Sequence, residues 1–282
     1  MSFRKNPGIP NPERFNPLDP TQIGKLLREK LEEQSPHPFP PGRFLGAGLY
    51  AIYWVGDFPL YAPLRDSNVP VYVGKAEAGS SSYGYEPDYG TDKLWERIDK
   101  HARSVSEVEM SSDATISRAD FRVRFLSLED AWIVLGERAL FREYRPVLWN
   151  AIMNGFGSNP PGGARKNARS VWDTIHPGRA RAGEWPNRSF TKDEMLSFVE
   201  RGIEISLMHE SARREAALSV LRENRPPVIW APAKKSDPDK RNRIFDEGRF
   251  FSEVERMGLT IDPSDYRVEQ PNSFDQTLEF DV

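Results

Sequence analysis

Alternating apolar and polar positions predict two neighbouring strands in the first third of the chain. Gly48 to Val55 and Val69 to Lys75 are rich in β-branched and aromatic residues and are bounded by Gly, Pro, Asp or Asn. Alternation along the first strand places Tyr50 and Tyr53 on opposite faces. The connection between the strands, residues 56–68, is longer than a tight turn, so we expect a hairpin that carries an insertion.

Helical and strand periodicities follow one another further along the chain. Apolar residues recur at helical spacing from Asp92 to Ser104 and from Glu129 to Tyr144, where Pro146 ends the second pattern. Between these helices, Ala119 to Leu128 alternates as a third strand. The order strand, strand, helix, strand, helix predicts an α+β fold, with a small three-stranded mixed or antiparallel sheet flanked by helices.

Changes in pattern divide the chain into four predicted parts. The core is preceded by a Pro- and Asn-rich arm with a short helix that begins near Thr21, and it is followed by a Gly-rich basic segment. Three candidate helices then form an extension of unknown role: Thr191 to Glu204, His209 to Glu223 and Asp239 to Met257. The predicted parts are residues 1–38 (arm and helix), 39–155 (core), 156–190 (basic segment) and 191–282 (helical extension).

Composition excludes several classes of protein. The chain is 38% hydrophobic and 29% charged, as expected of a globular protein and not of a disordered one. It contains no cysteine, which excludes disulfides, thiolate zinc sites and a cysteine nucleophile, and which fits a reducing cytosol. No apolar stretch has the length needed to span a membrane. We therefore expect a cytoplasmic protein without a membrane partner.

Charge is unevenly distributed along the chain. The net charge is -3, but basic residues dominate from Arg138 to Arg188, and the last stretch of the chain is acidic. This asymmetry permits a local nucleic-acid face, whereas a solvated basic surface is the alternative. The candidate DNA contacts in this region are Arg165, Lys166, Arg169, Arg179 and Arg181.

Three side chains on the predicted helices could carry chemistry. Glu137 is one acid in an apolar helical stripe, where an unpaired carboxylate is costly, so a functional role is favoured. Arg97 and His101 are four residues apart and therefore share one face of their helix, although spacing alone favours an exposed arginine and a partly buried histidine without a chemical role. A salt bridge between Glu137 and Arg97 is the structural alternative, and it could coexist with metal binding.

The two tyrosine strands carry a family resemblance. Gly48-Leu49-Tyr50 followed by Tyr72-Val73-Gly74 resembles the paired motif of the GIY-YIG nuclease superfamily. Arg97, Glu137, Pro146 and Asn150 follow in the order in which that superfamily places its arginine, glutamate, proline and asparagine, with Asn154 as the fallback for the last. His101 and Lys75 match its restriction endonucleases, and the chain is most similar to the Eco29kI family of type II restriction endonucleases.

This resemblance implies roles for the site residues. Tyr50 would accept a proton from the attacking water, and His101 would hydrogen-bond Tyr50. Glu137 would hold one Mg²⁺, for which Mn²⁺ could substitute, in a one-metal hydrolysis. Scissile-phosphate binding would fall to Arg97 and Tyr72, and positioning to Lys75 and Asn150. Because free tyrosine has a pKa of about 10, nearby positive charge would have to lower the pKa of Tyr50.

The resemblance also implies a substrate and partners. A type II restriction endonuclease would hydrolyse double-stranded DNA at a specific GC-rich palindrome, and CCGCGG is the first sequence to try. Symmetric cutting of both strands is most simply done by a homodimer. A cognate DNA methyltransferase would be a functional neighbour in such a restriction system.

Other nuclease classes fit the sequence less well. No Asp-x-Lys or Glu-x-Lys occurs, which excludes the usual form of the other common nuclease core, and the four histidines lack metal-ligand spacing. Two alternatives stay open. One is a structure-directed or nicking GIY-YIG nuclease of repair or mobile-element type, and the other is a catalytically inactive DNA-binding module.

Overall fold

The computed structural model describes residues 19–65, 67–79, 90–157, 170–183, 192–209 and 211–223. Most of the predicted N-terminal arm and the predicted helix from Asp239 to Met257 lie outside these ranges. The elements below refer to the described residues only.

A four-stranded antiparallel sheet forms the centre of the fold, in the order β1-β4-β2-β3. Its strands are β1 (His37–Pro38), β2 (Gly48–Trp54), β3 (Tyr72–Ala76) and β4 (Phe121–Ser127). The α+β class is confirmed. The prediction of three strands was one short, because the two-residue β1 pairs with the outer edge of β4.

Helices cover the sheet. The α-helices are α1 (Pro20–Glu32), α2 (Ala62–Arg65), α3 (Lys93–Glu109), α4 (Asp130–Glu143), α5 (Val171–Ile175), α6 (Ala180–Gly183), α7 (Lys192–Leu207) and α8 (Ser211–Glu223). A single π-helical turn spans Leu148–Ile152. The N-cap of α1 is Asp19, whose carboxylate accepts a hydrogen bond from the Thr21 amide, so α1 begins before the predicted Thr21.

The central strand β2 is buried on both faces, since all its residues are buried. Tyr50, with its even-numbered neighbours, packs in a large cluster with α3 and the aromatic residues that follow α4. Tyr53, with its odd-numbered neighbours, packs in a second cluster with α1 and α4. The predicted separation of Tyr50 and Tyr53 onto opposite faces is therefore confirmed.

The helices α7 and α8 share the larger of these two clusters. Val199 and Ile203 of α7 and Leu221 of α8 are buried in the same hydrophobic core as Tyr50. In the described part of the chain, no helix is long and apolar enough to cross a membrane.

A glycine permits the close approach of β2 and β4 at the start of the sheet. Gly48 has a φ angle of 155°, and a Cβ atom there would overlap the carbonyl oxygen of Leu126 and lie 2.9 Å from its carbonyl carbon. Only glycine fits this position. The first glycine of the motif thus fixes the register that presents Tyr50.

Candidate active site

The pairing of β2 with β3 brings the two motif tyrosines together. Tyr50 lies opposite Gly74, and Ile52 lies opposite Tyr72, so both phenol rings project from one face of the sheet. Their ring centroids are 6.0 Å apart. A Cβ atom on Gly74 would overlap the Tyr50 hydroxyl oxygen and lie 2.5 Å from ring atom Cζ. The absence of a side chain at Gly74 therefore leaves the space that the Tyr50 phenol occupies.

Tyr50 is fully buried, and its hydroxyl makes no hydrogen bond of normal geometry with any described residue. Burial raises the pKa of Tyr50 well above its ordinary value, and the neighbouring Tyr72 raises it further. The charge of Arg97 lowers the pKa but does not overcome burial. A buried hydroxyl that Arg97 and Tyr72 approach without forming a hydrogen bond of normal geometry is costly in a core, and such a group is typical of a functional site.

Arg97 is placed beside both tyrosines by α3. It is half-buried one helical turn before His101, on the face that α3 turns toward the sheet. Burial also raises the pKa of Tyr72, and here too Arg97 acts in the lowering direction. The positive charge of Arg97 therefore acts on both phenols. A guanidinium beside two hydroxyl groups is an arrangement that suits the binding of an anionic phosphate group.

His101 is packed against rings on three sides. Its ring stacks on Phe156 at a centroid distance of 4.6 Å and lies 4.8 Å from Tyr72 and 5.8 Å from Tyr50. Neither ring nitrogen has a hydrogen-bond partner among the described residues, so the expected hydrogen bond from His101 to Tyr50 is not formed in this structure. Burial, together with the charges of Arg97 and Arg179, lowers the pKa of His101 to about 3. The imidazole is neutral at physiological pH.

Glu137 and Lys75 form the charged part of the site. The Nζ atom of Lys75 lies 3.6 Å from a carboxylate oxygen of Glu137 and 2.6 Å from one of Glu77. Burial raises the pKa of Glu137, and the Lys75 ammonium opposes that shift. Within the described ranges, the ion-pair partner of Glu137 is Lys75 and not Arg97, the partner in the structural alternative that the sequence left open.

The side chains around Glu137 fit a Mg²⁺ ion that takes one carboxylate from the protein and its other ligands from water and substrate. No group of three or more His, Asp or Glu side chains among the described residues could hold a metal ion. A metal here would therefore be held by Glu137 together with water and substrate oxygens. Mg²⁺ is commonly bound in this way, through one or two carboxylates plus phosphate. The half-buried carboxylate of Glu137, whose charge burial disfavours, fits such a cation.

Asn150 binds the edge of β3 that does not pair with β2. Its Oδ1 accepts a hydrogen bond of 2.9 Å from the Val73 amide, and its Nδ2 donates one of 3.0 Å to the Val73 carbonyl. The π-helical turn supplies this geometry, and the Trp149 amide adds a bond to the carbonyl of Val71. The contacts favour Asn150 over Asn154 as the residue that positions the second motif strand.

One predicted DNA contact is corrected by the structure. Arg179 is 2% exposed, and its guanidinium pairs with Asp173 at 2.6 Å. A buried cation whose donors bond within the protein does not reach DNA. The other candidates cannot be placed: Arg165, Lys166 and Arg169 lie outside the described residues, as does the side chain of Arg181.

Phe156 is the site residue that the sequence prediction missed. Besides stacking on His101, it lies 5.2 Å from Tyr72 and 4.4 Å from Trp149, so it links the tyrosines to the aromatic core. Its signal in the sequence was a single aromatic residue between two glycines, at the start of the Gly-rich segment.

A cavity lies behind the π-helical turn, away from the tyrosines. Its volume is about 510 Å³, and it is lined by the end of α4, the turn, α7 and α8. Among the predicted site residues, only Asn150 and its fallback Asn154 contribute to its wall. The chemical groups of the site are therefore not in this cavity, and they lie at the β2–β3 face and along α3 and α4.

Comparison with known proteins identifies the domain. A family model described as the Eco29kI GIY-YIG domain matches residues 42–203, more than half of the chain. The match includes β2, β3, β4, α3 and α4 with all the side chains placed above. No curated protein matches the chain.

Proposed function

The chain belongs to the Eco29kI GIY-YIG family and is thus a GIY-YIG nuclease whose substrate is DNA; we propose that it is a Mg²⁺-dependent type II restriction endonuclease. It would hydrolyse phosphodiester bonds in both strands of a specific palindrome. The observation that carries the proposal is the buried hydroxyl of Tyr50, without a normal hydrogen bond, beside Tyr72 and the cation of Arg97.

Each polar side chain has a role in this proposal. Arg97 and Tyr72 bind the scissile phosphate, because a cation and a hydroxyl donor suit the charge that builds on its oxygens. Tyr50 takes a proton from the attacking water. Since burial keeps the pKa of Tyr50 high, the positive charge of Arg97 is what favours its ionised form.

Glu137 and Lys75 work as a pair. Glu137 would hold Mg²⁺, which when bound stabilises negative charge on the phosphate and on the leaving oxygen. The Lys75 ammonium favours the ionised form of the half-buried carboxylate, because its charge opposes the rise in the Glu137 pKa that burial causes. Asn150 fixes β3 through Val73, and β3 carries both Tyr72 and Lys75.

Palindromic cutting also defines the proposed assembly. Two chains related by a two-fold axis would place one site on each strand of a symmetric sequence. The GC-rich sequence CCGCGG is the first candidate target, and a DNA methyltransferase of the same specificity would protect the host.

Cleavage of a DNA pool that contains every eight-base sequence tests the specificity. The pool is incubated with protein and Mg²⁺, and all new ends are sequenced. Ends that fall on both strands of one palindrome support the proposal. Single-strand nicks without sequence preference would instead favour a structure-directed nicking enzyme, and binding without any cut would favour an inactive module.

A further inference from the structure

Arg179 makes a dense set of bonds around the loop that carries Phe156. Its Nη1 donates to the carbonyl of Gly157 at 3.1 Å, and its Nη2 donates to the carbonyl of Gly155 at 2.7 Å. Its Nε donates to Asp173 at 2.6 Å, and the guanidinium stacks 4.4 Å from the centre of the Trp172 ring. The same cation therefore ties together the residues on either side of Phe156.

Asp173 is held in place by its own partner. The hydroxyl of Ser170 donates a hydrogen bond of 2.6 Å to the second carboxylate oxygen, while the Asp173 amide donates to that hydroxyl. The side chains of Arg179 and Asp173 are each 1% exposed. A buried ion pair adds little net stability but is expensive to break, so a defined position of its atoms is the effect it can provide.

The loop that Arg179 bridges has little intrinsic preference for its shape. Gly155 and Gly157 have φ angles of 110° and 103°, which other residues rarely adopt, and glycine loses more conformational entropy than any other residue on ordering. The bonds from Arg179 to both carbonyls select one conformation of this loop. In that conformation, Phe156 stacks on His101 with an interplanar angle of 18°.

We propose that Arg179 is a positioning residue for DNA hydrolysis, which acts by holding Phe156 against His101 and so fixing the environment of Tyr50 and Tyr72. The proposal rests on the nuclease function proposed above. The proposal gives the Arg179–Asp173 pair a role in DNA hydrolysis, although the pair is buried within the protein and does not contact DNA. Arg179 does not touch the substrate. It acts by fixing the position of Phe156, which contacts His101, and His101 in turn contacts the two tyrosines.

Arg179→Lys is the informative variant, because it keeps the charge but replaces the planar fork that reaches Asp173 and both carbonyls. We expect the single-turnover rate at saturating DNA to fall by roughly 10- to 100-fold, since a small misplacement at a reacting centre is costly. The KM for DNA should be unchanged because Arg97 and Tyr72 remain. Arg118→Lys, which alters an exposed arginine paired with Glu109, is the matched control.

A double-mutant cycle with Phe156→Leu separates positioning from a general loss of stability. If Arg179 acts through Phe156, the double variant will be no slower than the slower single variant. All rates are measured well below the melting temperature and scaled to the folded fraction. Rates that multiply, or a normal rate per folded molecule in Arg179→Lys, would overturn the proposal.

The ring signals of His101 give a readout that needs no cleavage. In the described part of the chain, the charged and titratable groups that face this ring are Arg97, Arg179, Tyr50 and Tyr72. Both Phe156→Leu and Arg179→Lys should shift the His101 Cε1 proton resonance and raise the pH at which it titrates, because each admits water to the ring.

The matched control for this measurement is Phe58→Leu, which alters a half-buried ring packed on His176 and not on His101. It should leave the His101 signal unchanged. Should the wild type cleave no DNA, the proposed function fails, yet shifted His101 signals in both variants would still show that Arg179 positions the ring. Unchanged signals in Arg179→Lys would refute that role whether or not DNA is cut.

Discussion

At the scale of single residues, the site depends on buried side chains whose polar atoms make no hydrogen bond of normal geometry. The hydroxyl of Tyr50 makes no hydrogen bond of normal geometry with any described residue, and neither nitrogen of His101 has a described partner, although both side chains are at most 1% exposed. Leaving such groups unpaired costs about 1 to 3 kcal/mol each. Tyr50 of β2 and His101 of α3 carry this cost side by side, with ring centroids 5.8 Å apart, which is typical of a functional site.

Gly74→Ala tests the close approach of Tyr50. The added methyl group would overlap the Tyr50 hydroxyl, so the phenol must move or the strands must separate. We expect a loss of about 1 to 3 kcal/mol in the free energy of unfolding, which is typical of overpacking, and a rate of DNA cleavage at least about 100-fold lower. Urea denaturation and single-turnover cleavage measure the two effects. Gly42→Ala, at a position with open space, should change neither.

His101 makes the stability depend on pH. Its folded-state pKa of about 3 lies below the ordinary value of 6.5, so the unfolded chain binds the extra proton first as the pH falls. The neutral ring therefore contributes stability above pH 6.5, and this contribution is lost on acidification, by about 2 kcal/mol between pH 7 and pH 5.

The check is to compare urea denaturation at both pH values for the wild type and for His101→Phe, which keeps a ring but cannot titrate. The loss on acidification should be smaller in the variant by that amount. An equal loss in the two proteins would mean that the pKa of His101 is the same in the folded and the unfolded chain.

At the scale of elements, the periodicity predicted the sheet and its flanking helices well, and tertiary contacts explain the remainder. The alternation around Tyr50 is a local property, so it survives into the fold. Strand β1 consists of His37 and Pro38 in a Pro-rich run, and it exists only because the edge of β4 lies beside it. No periodicity could reveal a strand of two residues.

The sequence predicted the local arrangement of the site residues, as it did for the sheet and helices, but not their contacts with distant parts of the chain. Helical spacing placed Arg97 and His101 together, but the partner of Glu137 is Lys75, which lies 62 positions earlier on another strand. Arg179 looked like a surface cation because the sequence around it is basic, whereas its burial depends on a carboxylate that only the fold brings within reach. Contacts between residues that are distant in sequence produce no periodicity along the chain, so the sequence alone does not predict them.

Asn150→Ala tests how the π-helical turn supports β3. The substitution leaves the amide and carbonyl of Val73 without their side-chain partner, which costs about 1 to 3 kcal/mol if water does not replace it. We expect faster hydrogen exchange at the Val73 amide and a reduced cleavage rate, because β3 carries Tyr72 and Lys75. Asn154→Ala is the matched control; an equal effect on Val73 exchange in both variants would contradict the assignment of Asn150.

At the scale of the whole molecule, the described helices and sheet hold in place the face of the sheet that carries the polar groups of the site. The sheet is covered on both sides, α7 and α8 share its core, and the polar groups emerge where β3, α3 and α4 meet. The net charge of -3 means that DNA affinity must come from a local distribution of cations and not from the protein as a whole.

The proposed symmetry gives a prediction for the assembly on DNA. Analytical ultracentrifugation of the protein with a short duplex that contains its target should show two chains per duplex, since one site acts on each strand. A complex with a single chain per duplex that still cuts both strands would contradict a two-fold arrangement.

The cleavage of supercoiled plasmid in the presence of Mg²⁺ tests the central claim most directly. Wild type is compared with Tyr50→Phe, Glu137→Gln and Glu77→Gln, the last being a matched control that removes the other carboxylate bound to Lys75. The account predicts linear product from wild type and from Glu77→Gln, losses of about 100-fold or more in the other two variants, and no product with EDTA. Full activity in Tyr50→Phe or Glu137→Gln would show that the chemistry is not carried out at this site.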